Sequence, residues 1–182
     1  ARADKLDDFI AAQINERKIP GLSIAVIRDG KVIRATGYGF ANLELKAPVT
    51  KDTVYEIGSI SKQFASEALM LLVEDGKLNL DDSIRKYLPA NAPEIWQKIT
   101  VRNLLNHTSG LKDWTEIKEF SYRREYSPEE IIDLVKGFPL GFQPGDNWLY
   151  SNTKLPLIGV IVERASGRCF EDFVNERIIR PL

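Results

Sequence analysis

The chain has 182 residues, of which 43% are apolar and 28% charged, with a formal net charge of −1. That is globular composition, with no basic stripe for nucleic acid and none of the bias of a disordered chain. One cysteine and one histidine exclude an internal disulfide, a multi-cysteine cluster and a histidine-rich zinc site. No apolar run approaches the ~20 residues needed to cross a bilayer. The opening ARADKLDDFI has no methionine, which suits a processed secretory or periplasmic protein as well as a trimmed chain.

The first predicted element is a helix over Asp4 to Arg17, with Leu6, Phe9, Ile10 and Ile14 on one face. Pro20-Gly21 stops it. Leu22–Ile27, LSIAVI, and KVIRATGYG after it flank Asp29-Gly30, a strong hairpin signal. Leu22–Ile27 is apolar at nearly every position, so both faces of that strand are expected to be covered.

A helix is predicted from Ser59 to Asp75, with Phe64, Ala65, Ala68, Leu69 and Leu72 inward and Gly76 at its end. Thr100 caps a short helix through Leu105 that ends in NHTSG. Ser127-Pro128-Glu129-Glu130 is a capping box with proline at the first helical position, so a helix over Glu130 to Val135 is expected. Pro144-Gly145 marks a turn before NWLYSN. PLIGVIVERASG is β-branched, yet Leu155, Ile158, Ile161, Val162 and Ala165 share a helical face, and it is read as a helix closed by Gly167. Phe170, Phe173, Val174 and Ile178 give a last amphipathic helix before Pro181. Cys169, set among these residues without a histidine nearby in sequence, reads as a packed thiol rather than a nucleophile.

Two strands alone make a hairpin that is marginal in water. A first strand patterned for burial on both faces therefore needs strands from elsewhere: a continuation of the chain, a partner, or a swapped copy.

Chemistry concentrates where the helix after Gly58 begins. A serine hydroxyl needs a base within hydrogen-bond reach to act as a nucleophile, and lysine can serve where burial or neighbouring positive charge lowers its pKa. Ser59 and Lys62 are three residues apart and share a helix face. The helix start adds unpaired N–H groups and a positive dipole end that favour a developing oxyanion. The bland alternative is a capping serine beside a snorkelling lysine. Tyr150-Ser151-Asn152 offers a second set: a phenol able to shuttle protons and an amide able to hold a substrate or the lysine. Its bland alternative is a half-buried tyrosine and an N-capping asparagine. GSISK does not fit the G-x-S-x-G elbow.

Taken together, YGFANLELKAPVTKDTVYEIGSISKQF, LLVEDGKLNLDDSIRKYLP, ITVRNLLNHTSGL, FQPGDNWLYSN and FVNERIIRPL resemble the serine β-lactamase-like hydrolases, in the branch of class C β-lactamases, D-alanyl-D-alanine carboxypeptidases and esterases. The similarity covers nearly the whole chain in order. It implies an α/β fold of the α+β type: an antiparallel sheet flanked by helices plus a mostly helical lobe, with only the N-terminal hairpin of the sheet encoded here. Residues 1–182 would be the N-terminal portion of one domain. Within it, 1–51 would form the helix and hairpin of the α/β lobe, 52–144 the helical lobe, and 145–182 the Tyr-Ser-Asn segment and its following helices.

The resemblance further implies that Ser59 is the acylated nucleophile and Lys62 its base or base partner. Tyr150 would shuttle a proton to the leaving group, Asn152 would contact substrate and Lys62, and the Ser59 N–H would be one oxyanion donor. Whether lysine or tyrosine is the base is left to the pair jointly. Substrates would be β-lactams, D-amino-acid peptides or small esters, with no metal or organic cofactor and no nucleic acid. The competing reading is a catalytically incompetent half-domain that pairs with its missing strands or another copy. His107, in the HTSG turn, looks structural, with a Ser–His esterase as its minor alternative. Ser61 reads as a helix-start residue, and Trp148 as lining either cleft or core. Two departures stand out: no K-T-G or H-x-G motif occurs, and Lys154, Leu155 and Pro156 follow Asn152 where relatives more often carry glycine and an aromatic.

Overall fold

The computed structural model describes residues 5–182, so Asp4 of the predicted first helix lies outside the described residues. Two compact units divide at Glu56/Ile57.

In the first unit, α1 (Lys5–Arg17) precedes an antiparallel sheet of order β1-β2-β3: β1 Gly21–Arg28, β2 Lys31–Asn42 and β3 Ala47–Pro48. The predicted hairpin forms with Arg28 opposite Lys31, and Asp29 and Gly30 take φ of 51° and 72°. Two positive φ values define the tight turn whose twist matches the strands, and Asp-Gly supplies them at little cost. β3, two residues long and containing a proline, carries too little pattern to be read from sequence. The Asp7 carboxylate of α1 accepts from the Tyr38 hydroxyl at 2.6 Å and pairs with Arg34, tying the helix to β2.

Coverage of β1 on both faces, expected from its apolar run, is not found among the described residues. No residue of β1 is fully buried, and Phe9, Ile27, Val32, Ile33 and Phe40 are exposed. A sheet of these strands with one helix has too few apolar partners to bury both faces.

The second unit is helical and holds a continuous core. A 3-10 turn, Gly58–Ile60, runs into α2 (Ser61–Glu74), followed by α3 (Val101–Leu105), α4 (Pro128–Val135), α5 (Lys154–Ser166) and α6 (Phe170–Val174). A π-turn over Asn175–Ile179 continues α6. Both predicted caps close as reciprocal boxes, Thr100 with Asn103 and Ser127 with Glu130. α2 packs along α5. Leu69, Leu72, Trp96, Leu104, Ile132, Leu157, Ile158, Ile161 and Phe173 are buried between the helices. At about 1.5–3 kcal/mol for each fully buried aliphatic side chain, this core is the main source of the unit's stability.

PLIGVIVERASG is helical, as its spacing predicts, and closes at Gly167 with φ of 71°. Cys169 departs from its packed reading: it is exposed. It precedes the first turn of α6, so the apolar face one turn later buries Phe173 and leaves the thiol outside. The Glu171 carboxylate 3.3 Å from its sulfur holds the thiol above its ordinary pKa, which also disfavours a nucleophile.

Candidate active site

The site begins at Gly58, whose φ of +52° lets the chain turn sharply into the 3-10 segment that carries Ser59. A Cβ is rarely tolerated at that φ. Neither the 3-10 segment nor α2 has a side-chain N-cap, so Ser59 does not cap. Its Oγ instead accepts from Lys62 Nζ at 2.9 Å and lies 2.6 Å from the Tyr150 hydroxyl. Ser61 opens α2, as its helix-start reading expects.

Lys62 sits on the core-facing side of α2 with Ala65, Ala68, Leu69 and Leu72 and is only 9% exposed, so it does not snorkel. Its ammonium donates to Ser59 Oγ and, at 2.9 Å, to Asn152 Oδ1, and it lies 5.0 Å from the centroid of the Tyr150 ring. Asn152 is likewise no helix cap; Thr153 occupies that position of α5. The four residues singled out in the sequence therefore meet in one hydrogen-bonded cluster. The neighbouring Lys62 ammonium, and after it the Ser59 hydroxyl, hold the Tyr150 phenol below its ordinary pKa; burial and Asp113 oppose them.

Asp113, unremarked in the sequence, is buried and accepts four hydrogen bonds. The Asn152 N–H and Nδ2 donate to its Oδ2 at 2.9 and 3.0 Å; the Thr115 N–H and hydroxyl donate to Oδ1 at 2.9 and 2.8 Å. A carboxylate accepts only, so it fixes the Asn152 amide with NH2 toward Asp113 and Oδ1 toward Lys62. The only local signal was the capping of the Trp114–Glu116 turn; its main partner lies 39 residues on.

His107 supports Tyr150 rather than Ser59. Its ring stacks on the phenol at 4.6 Å and 21°, and its Nδ1 accepts the Ser151 N–H at 3.2 Å. Burial first, then the charges of Lys154 and Lys62, lower its pKa to about 4. Trp148, 61% exposed and edge-on to His107, is not a core residue. An apolar groove of about 650 Å³ on the same unit, lined by Ile57, Phe64, Leu155, Pro156 and Phe170, takes in none of the four clustered residues. The cluster opens instead to solvent through Ser59 and the 39% exposed Tyr150.

The family model described as Beta-lactamase matches residues 6–182. The chain belongs to the beta-lactamase family. Among curated members, Penicillin-binding protein 4* of Bacillus subtilis is 32% identical over 87% of this chain and 36% of its own length. Solved structures that align with 97% of the chain include the following two. The octameric penicillin-binding protein homologue from Pyrococcus abyssi does so at 35% identity and a TM-score of 0.81, over 42% of its chain. D-amino acid amidase from Ochrobactrum anthropi SV3 does so at 32% identity and a TM-score of 0.80, over 49% of its chain. This beta-lactamase-family chain thus spans between about a third and a half of the length of those relatives. Among the described residues, no helix is long and apolar enough to cross a membrane.

Proposed function

We propose that the chain carries the nucleophile-bearing part of a serine acyl hydrolase that works through a covalent acyl-serine. Residues 1–182 are read as the N-terminal portion of one domain. The observation that carries the proposal is the placement of Ser59 Oγ within hydrogen-bond distance of both Lys62 Nζ and the Tyr150 hydroxyl.

Ser59 Oγ attacks the substrate carbonyl carbon, and its proton passes to the Lys62–Tyr150 pair as the C–O bond forms. The Ser59 N–H, in the first turn, donates to the oxyanion. As the bond to the leaving group breaks, Tyr150 returns a proton to the departing amine or alkoxide. Water, deprotonated by the same pair, then cleaves the acyl ester and restores the serine. Asn152 holds Lys62 through Oδ1 and offers the substrate a polar contact, and Asp113 orients that amide. β-Lactams, D-amino-acid amides or peptides and small esters present such a carbonyl; the penicillin-binding and D-amino acid amidase relatives favour the first two. The penicillin-binding relative favours a secreted or periplasmic setting.

Labelled penicillin or a fluorophosphonate is expected to modify Ser59, and Ser59→Ala to abolish labelling; labelling that survives the substitution refutes the assignment. Asp113→Ala leaves two Asn152 donors without their acceptor. It should slow labelling roughly tenfold or more and cost about 2 kcal/mol of stability, measured by labelling rate and chemical denaturation.

The exposed apolar side chains of β1 and β2 favour a second reading, in which this stretch binds its complementary strands or another copy before it can turn over substrate. Nitrocefin or p-nitrophenyl butyrate hydrolysis separates the two. An inactive 182-residue chain whose activity returns on adding the complementary strands supports the second; activity in the chain alone excludes it.

A further inference from the structure

Lys154, two residues after Asn152, has an environment that is unusual for a lysine. It opens α5 and is only 6% exposed. Nζ donates to the carbonyl of Leu105, the last residue of α3, at 3.1 Å, and among the described residues no carboxylate pairs with it. Burying a cation on a single carbonyl is costly, and methionine would fill the same space without that cost. The charge itself therefore needs an explanation.

The Leu105 carbonyl lies two residues before His107 in the chain. Burial first, then the charges of Lys154 and Lys62, disfavour a proton on the His107 ring, Asp113 favours one, and the Tyr150 phenol stacks against it. Lys154 in turn has a lowered pKa, from burial first and Lys62 second, with Tyr150 opposing. His107 holds three consecutive residues. Its carbonyl accepts the Leu149 N–H at 2.9 Å, its ring stacks on Tyr150, and its Nδ1 accepts the Ser151 N–H. A protonated imidazole donates from both nitrogens, so Nδ1 could no longer accept from Ser151.

We propose that His107 is a positioning residue for the Tyr150 phenol, and that the buried Lys154 ammonium, held on the Leu105 carbonyl two residues before it in the chain, helps to keep the ring in the form that accepts the Ser151 N–H. The positioning role rests on Tyr150 acting as the proton shuttle to Ser59.

The test uses the full-length protein with 13C-labelled histidine, the His107 signal being assigned by its loss in His107→Asn. Lys154→Met should raise the His107 midpoint from about 4 by about one unit, while Lys154→Arg leaves it in place. His107→Asn keeps an acceptor and tolerates the φ of 57°, so it should acylate within several-fold of the parent. His107→Gly tolerates the same φ without an acceptor and should acylate roughly 10- to 100-fold more slowly. An unchanged midpoint in Lys154→Met overturns the lysine's role, and a His107→Gly rate within several-fold of the parent overturns the histidine's. If the parent protein never acylates Ser59, the functional reading fails, while the titration still decides whether Lys154 controls the ring.

Discussion

Replacing Lys62 by methionine is expected to slow acylation of Ser59 roughly 100- to 10,000-fold, the range a positioned member of an acid–base pair contributes, while the melting temperature holds or rises. The two halves of this expectation have one cause. Lys62 lies on the face of α2 that buries Ala65, Ala68, Leu69 and Leu72, and its ammonium is kept there by two oxygens, Ser59 Oγ and Asn152 Oδ1. Methionine has similar length and loses no solvation on burial, so the core gains or stays level. Ser59, however, loses the Lys62 group that donates to its hydroxyl. A stability gain paired with lost reactivity marks a residue kept for chemistry rather than packing. Labelling rates and thermal melts on the same samples check it. Acylation within tenfold of the parent would remove Lys62 from the mechanism, and a large drop in melting temperature would make it a structural residue.

What could be read from the sequence followed the range of the interactions involved. The β1–β2 turn and the caps of α3 and α4 depend on residues within four positions, so Asp29-Gly30, Thr100 and Ser127-Pro128-Glu129-Glu130 announced them. α5 was harder, because Val160, Ile161 and Val162 suit a strand as well as a helix and all three are buried. Ser59 and Lys62 were legible because a single helical turn brings them together. Tyr150 and Asn152 needed the resemblance, since their partners lie 91 and 90 residues away. Asp113 was not legible: an aspartate capping a short turn gives no local sign that its other oxygen orients an amide 39 residues on. Cys169 misled for a related reason. Neighbouring apolar residues predict a helical face, but not which side of its first turn the face begins on.

The proposed chemistry places three demands on one short helix start. Residue 58 must tolerate φ > 0, residue 59 must present its hydroxyl outward, and residue 62 must point inward toward the same oxygen. These demands conflict with ordinary packing, since a lysine at 62 would otherwise be excluded from the core. The network of Asn152 and Asp113 resolves the conflict by giving the buried ammonium an acceptor and then fixing that acceptor. A local rule broken at residue 62 is thus compensated by groups from distant parts of the chain, the pattern expected of a functional site.

Tyr150→Phe should reduce turnover of amide and β-lactam substrates roughly 100-fold or more and reduce that of p-nitrophenyl esters far less, because p-nitrophenolate departs without a proton. The pH profile adds a sign. The phenol is held below its ordinary value of 10.0, chiefly by Lys62 and then by Ser59. If Tyr150 gives its proton in the slow step, the rate falls as pH rises through that lowered pKa. If it takes one, the rate rises there. Either limb should vanish in Tyr150→Phe. In Lys62→Met the main cause of the lowering is gone, so the residual limb should move upward, toward pH 10. Rate profiles of the three proteins on one amide and one nitrophenyl ester decide it. A Tyr150→Phe profile that keeps the parent's limb, or equal losses on both substrates, would take the proton away from Tyr150.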